Sequence, residues 1–187
     1  VHLQEKKRGL YQDEELCRST IEKCTVTARV ALRVLGSLYD LSGRHICPLI
    51  MKGRILYSRI IKCGSGWDTD VSKVDNKLYA EFIQFLYEIV DVKQNLKPVP
   101  RAWVEKNHKL MTLIAPSDGS EVGYSASVYA RSANDNDDQS YRCNLGMARC
   151  KIANQSVQNN ELCSVVLGIK MLEHALIHMP QDEIPEN

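Results

Sequence analysis

The sequence predicts an α+β fold: a helical amino-terminal region, then a partial unit of three antiparallel strands plus a helix. Three observations carry this. Apolar residues recur at helical spacing from Leu16 to Ile89. A proline-bracketed stretch, Lys97-Pro98-Val99-Pro100-Arg101, ends that pattern, because each proline pushes its predecessor out of the α region. Beyond it the period falls to two, as strands require, before one last apolar helix. The regions are residues 1–97, a linker at 98–108, and residues 109–187.

In order along the chain, Leu16, Ile21, Val26, Val30, Val34 and Leu38 place one helix over Glu14–Leu38. Tyr39-Asp40-Leu41-Ser42-Gly43 has turn chemistry. Pro48 suits the first turn of a second helix bearing Leu49, Ile50, Ile55, Leu56, Ile60 and Ile61, which Gly64-Ser65-Gly66 breaks. A third helix over Val71–Val90 aligns Leu78, Phe82, Phe85, Leu86 and Ile89. After the linker, Leu110–Ala115 is a short apolar strand that stops at Pro116, and the strand signal ends by Asp118. Tyr124, Ala126, Val128 and Ala130 share one parity within a strand over Gly123–Arg131. Ser132–Ser140 is polar and reads as a hairpin loop, and Tyr141–Ile152 as the next strand. A helix over Glu161–Ile177 presents Leu162, Val165, Val166, Ile169, Leu172 and Leu176 on its apolar side.

Composition is that of an ordinary globular chain, with 44% hydrophobic and 25% charged residues. The net charge of +1 conceals an asymmetry. Residues 1–67 hold twelve Lys/Arg against six Asp/Glu, and residues 68–187 hold twelve against seventeen. A basic front half suits a phosphate backbone, and Arg29, Arg33, Arg44, Lys52, Arg54, Arg59 and Lys62 are the candidates; a solvated helix face gives the same count. Tyr57, Trp67 and Trp103 could stack on bases, but core or interdomain packing is the expected role for each. Seven cysteines include no CxxC pair, which argues against a zinc ribbon. They are expected to remain reduced, in cytoplasm or nucleus, and buried thiols account for the spacing of Cys17/Cys24 and Cys143/Cys150. No apolar run of about 18 residues is present, so no membrane partner is expected. His174 and His178 lie one helical turn apart but have no third ligand, and Ala175 stands where a metalloprotease helix carries its glutamate.

Two carboxylates remain as candidates for chemistry. Asp118 ends a strand and Glu161 starts a helix. Such hard oxygen donors suit Mg2+ or Mn2+. Taken alone, the pair reads as a turn aspartate and a helix-start glutamate favoured by the helix dipole.

An ordered series of motifs adds to this. Asp118-Gly119-Ser120-Glu121-Val122-Gly123-Tyr124-Ser125-Ala126-Ser127-Val128-Tyr129 resembles the run D-A-S-E-x-A-Y-G-A-x-x-Y of Bel/Pao-type retrotransposon polyproteins. Leu145–Ala153 is similar to that family's L-x-x-A-K-S-K-V-A-P, and Glu161–Gly168 to its E-L-x-A-A-x-L-G. Upstream, Leu38–Gly43 with Pro48 resembles L-F-D-P-L-G-x-x-x-P; Gly66-Trp67-Asp68 and Val99-Pro100-Arg101 match G-W-D and I-P-R. The resemblance runs from about Thr27 to Leu176. It implies the reverse transcriptase thumb and connection followed by the start of a ribonuclease H domain. Part of this region carries the name of a peptidase, but an aspartic protease needs D-[ST]-G, and Asp118-Gly119-Ser120 reverses the last two positions.

The resemblance implies that Asp118 and Glu161 are catalytic metal ligands. They would hold Mg2+ or Mn2+ for cleaving RNA in an RNA–DNA hybrid, where two ions sit roughly 4 Å apart. It also implies the rest of a Pol polyprotein, or a second copy, as partner. The sequence departs from the family at Leu41-Ser42, at Asn154, and at Val157–Asn160. The family's next strand, with a third carboxylate in T-D-S, is not found after the Glu161 helix. The expectation is therefore a hydrolase by ancestry that is inactive as this isolated chain, with part of the last helix uncovered. The alternative is a non-catalytic, domesticated module that binds nucleic acid or protein.

Overall fold

Residues 14–38, 40, 43–64, 66–95, 103–104, 108–134, 137–153 and 155–178 are described by a computed structural model. The linker prolines Pro98 and Pro100, the departures at Leu41-Ser42 and Asn154, and the tail after His178 lie outside the described residues. The chain divides into two units: Val1–Leu41 with Pro48–Lys97, and Ser42–Cys47 with Pro98–Asn187. The architecture is α+β, with helices preceding an antiparallel sheet.

In the first unit, the single helix expected over Glu14–Leu38 is two. Helix α1 covers residues 14–23 and α2 is Ala28–Ser37. Cys24 takes a left-handed φ of 49°, which ends α1. Thr27 then caps α2, its side chain accepting from the Val30 amide at 3.2 Å. The β-branched run Thr25-Val26-Thr27 favours extended backbone over a continuous helix. Helix α3, Cys47–Lys62, carries Pro48 in its first turn, where no intrahelical donor is lost. The third predicted helix also starts later. A 3-10 turn at Val71–Lys73 comes first, and α4 is Asn76–Asn95, capped by Asp75, whose carboxylate accepts from the Leu78 amide at 2.9 Å. The core draws Ala28, Ala31 and Val34 from α2, Leu56 and Ile60 from α3, and Leu78, Phe82, Phe85, Leu86 and Ile89 from α4. Lys52 bonds to Glu88, and Arg59 to Glu81. One pair lies two turns along α3 from the other while its partner lies two turns back along α4, so the helices run antiparallel. Trp67 is exposed and its carbonyl accepts from the Arg29 amide.

The second unit is a four-stranded antiparallel sheet with one helix on it. Strand β1 is His108–Ile114 and β2 is Ser117–Ser120. Both pair with β3, Gly123–Asn134, so they form one path along the same side of β3, interrupted at Ala115-Pro116. Proline has no amide for the ladder, yet its carbonyl still accepts from Ser127. Strand β4, Asp137–Ile152, pairs with the other side of β3. The expected loop over Ser132–Ser140 is largely strand, because the ladder extends outward to Asn134↔Asp137. A bulge leaves Gly146 unpaired opposite Val128 and Tyr129, and the Trp103 indole lies against it. Asn144 donates to the Trp103 carbonyl at 3.1 Å.

Helix α5, Val157–His178, starts four residues before the expected Glu161. Ser156 caps it, accepting at Oγ from the Asn159 amide at 3.3 Å. The helix packs with a different face from the one predicted. It buries Asn160, Ser164, Leu167, Gly168, Met171 and Ala175. Leu162, Val165, Val166, Ile169 and Leu176 are exposed, Leu162 at 66%. The reason is distance: α5 approaches β2 and β3 closely, and Gly168 lies beside Ala115 and Ala126. Small side chains permit that approach and a bulky apolar stripe does not. No helix among the described residues is long and apolar enough to cross a membrane.

Candidate functional site

Strand β2 and the first turns of α5 bring the main chains beside the two candidate residues into contact. Asp118 pairs with Ser125 and Gly119 with Tyr124. Neighbouring strand residues point to opposite faces, so Gly119 faces α5 and exposed Asp118 faces away from it. At Gly119 strand and helix touch through their main chains. A Cβ there would lie 2.4 Å from the Glu161 amide nitrogen and 2.5 Å from the Asn160 carbonyl carbon. Only glycine allows this approach, and it sets the Glu161 backbone beside the residue that follows Asp118. Glu161 is also exposed.

Asn160 locks this junction. It is fully buried, and its Nδ2 donates to the Ser120 carbonyl at 2.6 Å. Its Oδ1 is buried without a described partner. Ser120 Oγ in turn donates to the Gly123 carbonyl at 3.0 Å, closing the β2–β3 turn. Ser164 Oγ donates to the Glu161 carbonyl at 2.6 Å. The sequence pattern starts this helix at Glu161, so Asn160 goes unnoticed. The signal that could have found it is the Ser156 cap, which moves the helix start upstream and puts Asn160 one turn inside it.

Exposed carboxylates of this kind suit a hydrated magnesium-type ion, which is commonly held by one or two carboxylates together with water and phosphate oxygens. They fall short of a centre that must hold two ions. Among the described residues no group of three or more His, Cys, Asp or Glu is placed to bind a metal. His174 and His178 lie edge to face with ring centroids 4.3 Å apart, both exposed.

The seven basic candidates separate into groups. Arg29 bonds to Asp68 through Nε at 2.7 Å and Nη2 at 3.0 Å. Lys52 is paired with Glu88 at 2.6 Å, and Arg59 with Glu81. The Arg29 guanidinium, through its hydrogen bonds, holds the Asp68 carboxyl below the usual carboxylate range, and Arg59 does the same to Glu81. Arg33, Arg54 and Lys62 are exposed on α2 and α3, while Arg44 is half-buried. The thiols expected to be buried are not all so: Cys17 is, whereas Cys24 and Cys143 are exposed.

No curated protein and no solved structure matches the chain. A family model described as the Pao retrotransposon-like RNaseH-like domain matches residues 27–184. The matched stretch takes in α2 to α4 as well as the sheet and α5. Spanning most of the sequence in the order of the motifs, this match shows that the chain belongs to the Pao retrotransposon-like RNaseH-like domain family.

Proposed function

We propose that this chain is the nucleic-acid-holding part of a retrotransposon ribonuclease H-like domain, and that it presents Asp118 and Glu161 as metal ligands without itself cleaving. The observation that supports it most is the main-chain contact of Gly119 with Glu161, which brings the backbones of Asp118's strand and Glu161's helix close together. In this reading each carboxylate serves as a ligand to Mg2+ or Mn2+ held against a backbone phosphate of an RNA–DNA hybrid. Cleavage waits on further acidic groups, because activating water and stabilising the leaving oxygen takes two ions. Phosphate contacts fall to Arg33, Arg54 and Lys62, for which no acidic partner is found among the described residues, unlike Arg29, Lys52 and Arg59. Such contacts position a duplex without reading its sequence.

The test combines binding and cleavage on a labelled RNA–DNA hybrid. Binding should weaken steeply with salt, and the Arg33→Ala/Arg54→Ala/Lys62→Ala variant should flatten that slope. Mn2+ affinity, read by electron paramagnetic resonance, should fall in Asp118→Asn and in Glu161→Gln, with no strand cleaved by the parent. Cleavage that disappears in Asp118→Asn would show that other acids complete the centre. Failure to bind the hybrid at low salt would sink the proposal.

A second reading, a protein-binding module, draws on the exposed apolar stripe of α5 and on the β1–β2 edge. Among the described residues each of these strands pairs only with β3, and an unpaired edge is a template for another chain. Self-association that ignores salt would favour it.

A further inference from the structure

The segment Ser42–Cys47 lies in the second unit although its neighbours on both sides belong to the first. It meets β4 at two points. Gly43 has a left-handed φ of 70°, and a Cβ there would lie 1.8 Å from the Ala148 carbonyl oxygen, so the two main chains are in direct contact. At the other point, Cys47 Sγ lies 3.3 Å from Cys150 Sγ and donates to it. The Cys150 thiol donates to the main-chain oxygen of Cys47, also at 3.3 Å. Cys47 is the first residue of α3 and is buried; Cys150 is half-buried.

We infer that Cys47 and Cys150 form an oxidation site, a dithiol that closes to a disulfide under a peroxide or a glutathione-type disulfide. Two independent contacts hold the partners together, the Gly43–Ala148 main-chain contact and the reciprocal thiol hydrogen bonds. The sulfurs need to approach by only about 1.3 Å to reach bonding distance. Position divides the roles. Cys150, the more exposed, meets the oxidant, and Cys47, buried behind it, resolves the intermediate.

With hydrogen peroxide, the Cys150 thiolate attacks one peroxide oxygen, the O–O bond breaks, and hydroxide leaves to give a sulfenic acid. The Cys47 thiolate then attacks Cys150 Sγ; the S–O bond breaks and water departs. Two thiols lose two electrons and two protons, and one peroxide becomes two waters. With glutathione disulfide the first attack releases one glutathione and the second attack releases another, so the electrons again balance. The bond links residues 103 positions apart and fastens the Ser42–Cys47 segment to β4.

The experiment uses the full chain, treated with hydrogen peroxide or with glutathione disulfide and then blocked with a maleimide. Non-reducing digestion and mass spectrometry should find a Cys47–Cys150 peptide, and two of the seven thiols should be lost. The melting temperature of the oxidised chain should exceed that of the reduced chain by about 10 °C, since the bond restricts a long unfolded loop. Cys47→Ser and Cys150→Ser should each abolish the linked peptide and the shift. A Cys24→Ser/Cys143→Ser variant removes the exposed thiols that could oxidise first and should retain both. Oxidation of that variant without a Cys47–Cys150 peptide would overturn the inference.

Discussion

At Gly119 the strand has no room for a side chain, because a Cβ would run into the main chain of α5. Main chain yields less readily than a flexible side chain, so Gly119→Ala should cost about 3 kcal/mol, read from the denaturant midpoint. Gly36 offers the control. It lies in α2, and a methyl group added there would meet nothing within 4 Å, so Gly36→Ala should leave stability unchanged or raise it by up to about 1 kcal/mol. Equal midpoints for the two variants would mean that α5 moves freely off β2. Asn160 makes a related prediction. Asn160→Ala removes the donor to Ser120 and should cost about 1 to 2 kcal/mol, the typical penalty for a lost buried hydrogen bond. These two positions support the candidate carboxylates without carrying chemistry themselves. Neither was legible as such, because close approach between distant segments leaves no periodic trace in a sequence.

Helix α5 has two apolar faces of different kinds. The buried one is built from small or slender residues, Ser164, Gly168, Ala175 and Met171 among them. The exposed one is built from large residues, with Leu162 at 66%, Ile169 at 58% and Ile177 at 69%. Hydrophobic periodicity points at the larger stripe, while the tight fit over Ala115, Gly119 and Ala126 selects the smaller. Replacing Leu162, Ile169 and Ile177 together by Gln should leave the melting temperature nearly unchanged, since exposed side chains contribute little to the core. The same variant should lower self-association in sedimentation velocity, because large exposed apolar patches drive association. A large loss of stability would show that the stripe is covered within the folded molecule. At this scale the helices of the first unit were readable in type but not in extent. The break at Cys24–Thr27 depends on a left-handed residue and a capping hydroxyl, which a helical count passes straight through.

Across the whole molecule, charge separates by region more than the net value of +1 implies. Part of the basic excess is tied up locally, in the pairs Arg29–Asp68, Lys52–Glu88 and Arg59–Glu81. Asp68 and Glu81 titrate below their unfolded values because of the hydrogen bonds they accept. A carboxylate lowered in this way contributes stability that is complete above its unfolded pKa and is lost as pH falls through its folded pKa. The melting temperature should therefore hold from neutral pH down to about pH 5 and then decline through the carboxylate range. Glu81→Gln should reduce the acid-side decline and change the neutral value little, as exposed ion pairs are weak. An acid profile identical to the parent's would show that the Arg59–Glu81 pair contributes nothing in solution.

The sequence by itself determined the α+β class, the change of period after the proline-rich stretch, and the family, because these rest on local periodicity and on the order of short motifs. Tertiary structure alone decided which face of α5 is buried, that β1 and β2 share one path along β3, that Asn160 locks the strand to the helix, and that Ser42–Cys47 lies against β4. Each of these depends on how closely two main chains approach. That distance is set by the partner segment, and no residue carries it in its own neighbourhood of the sequence.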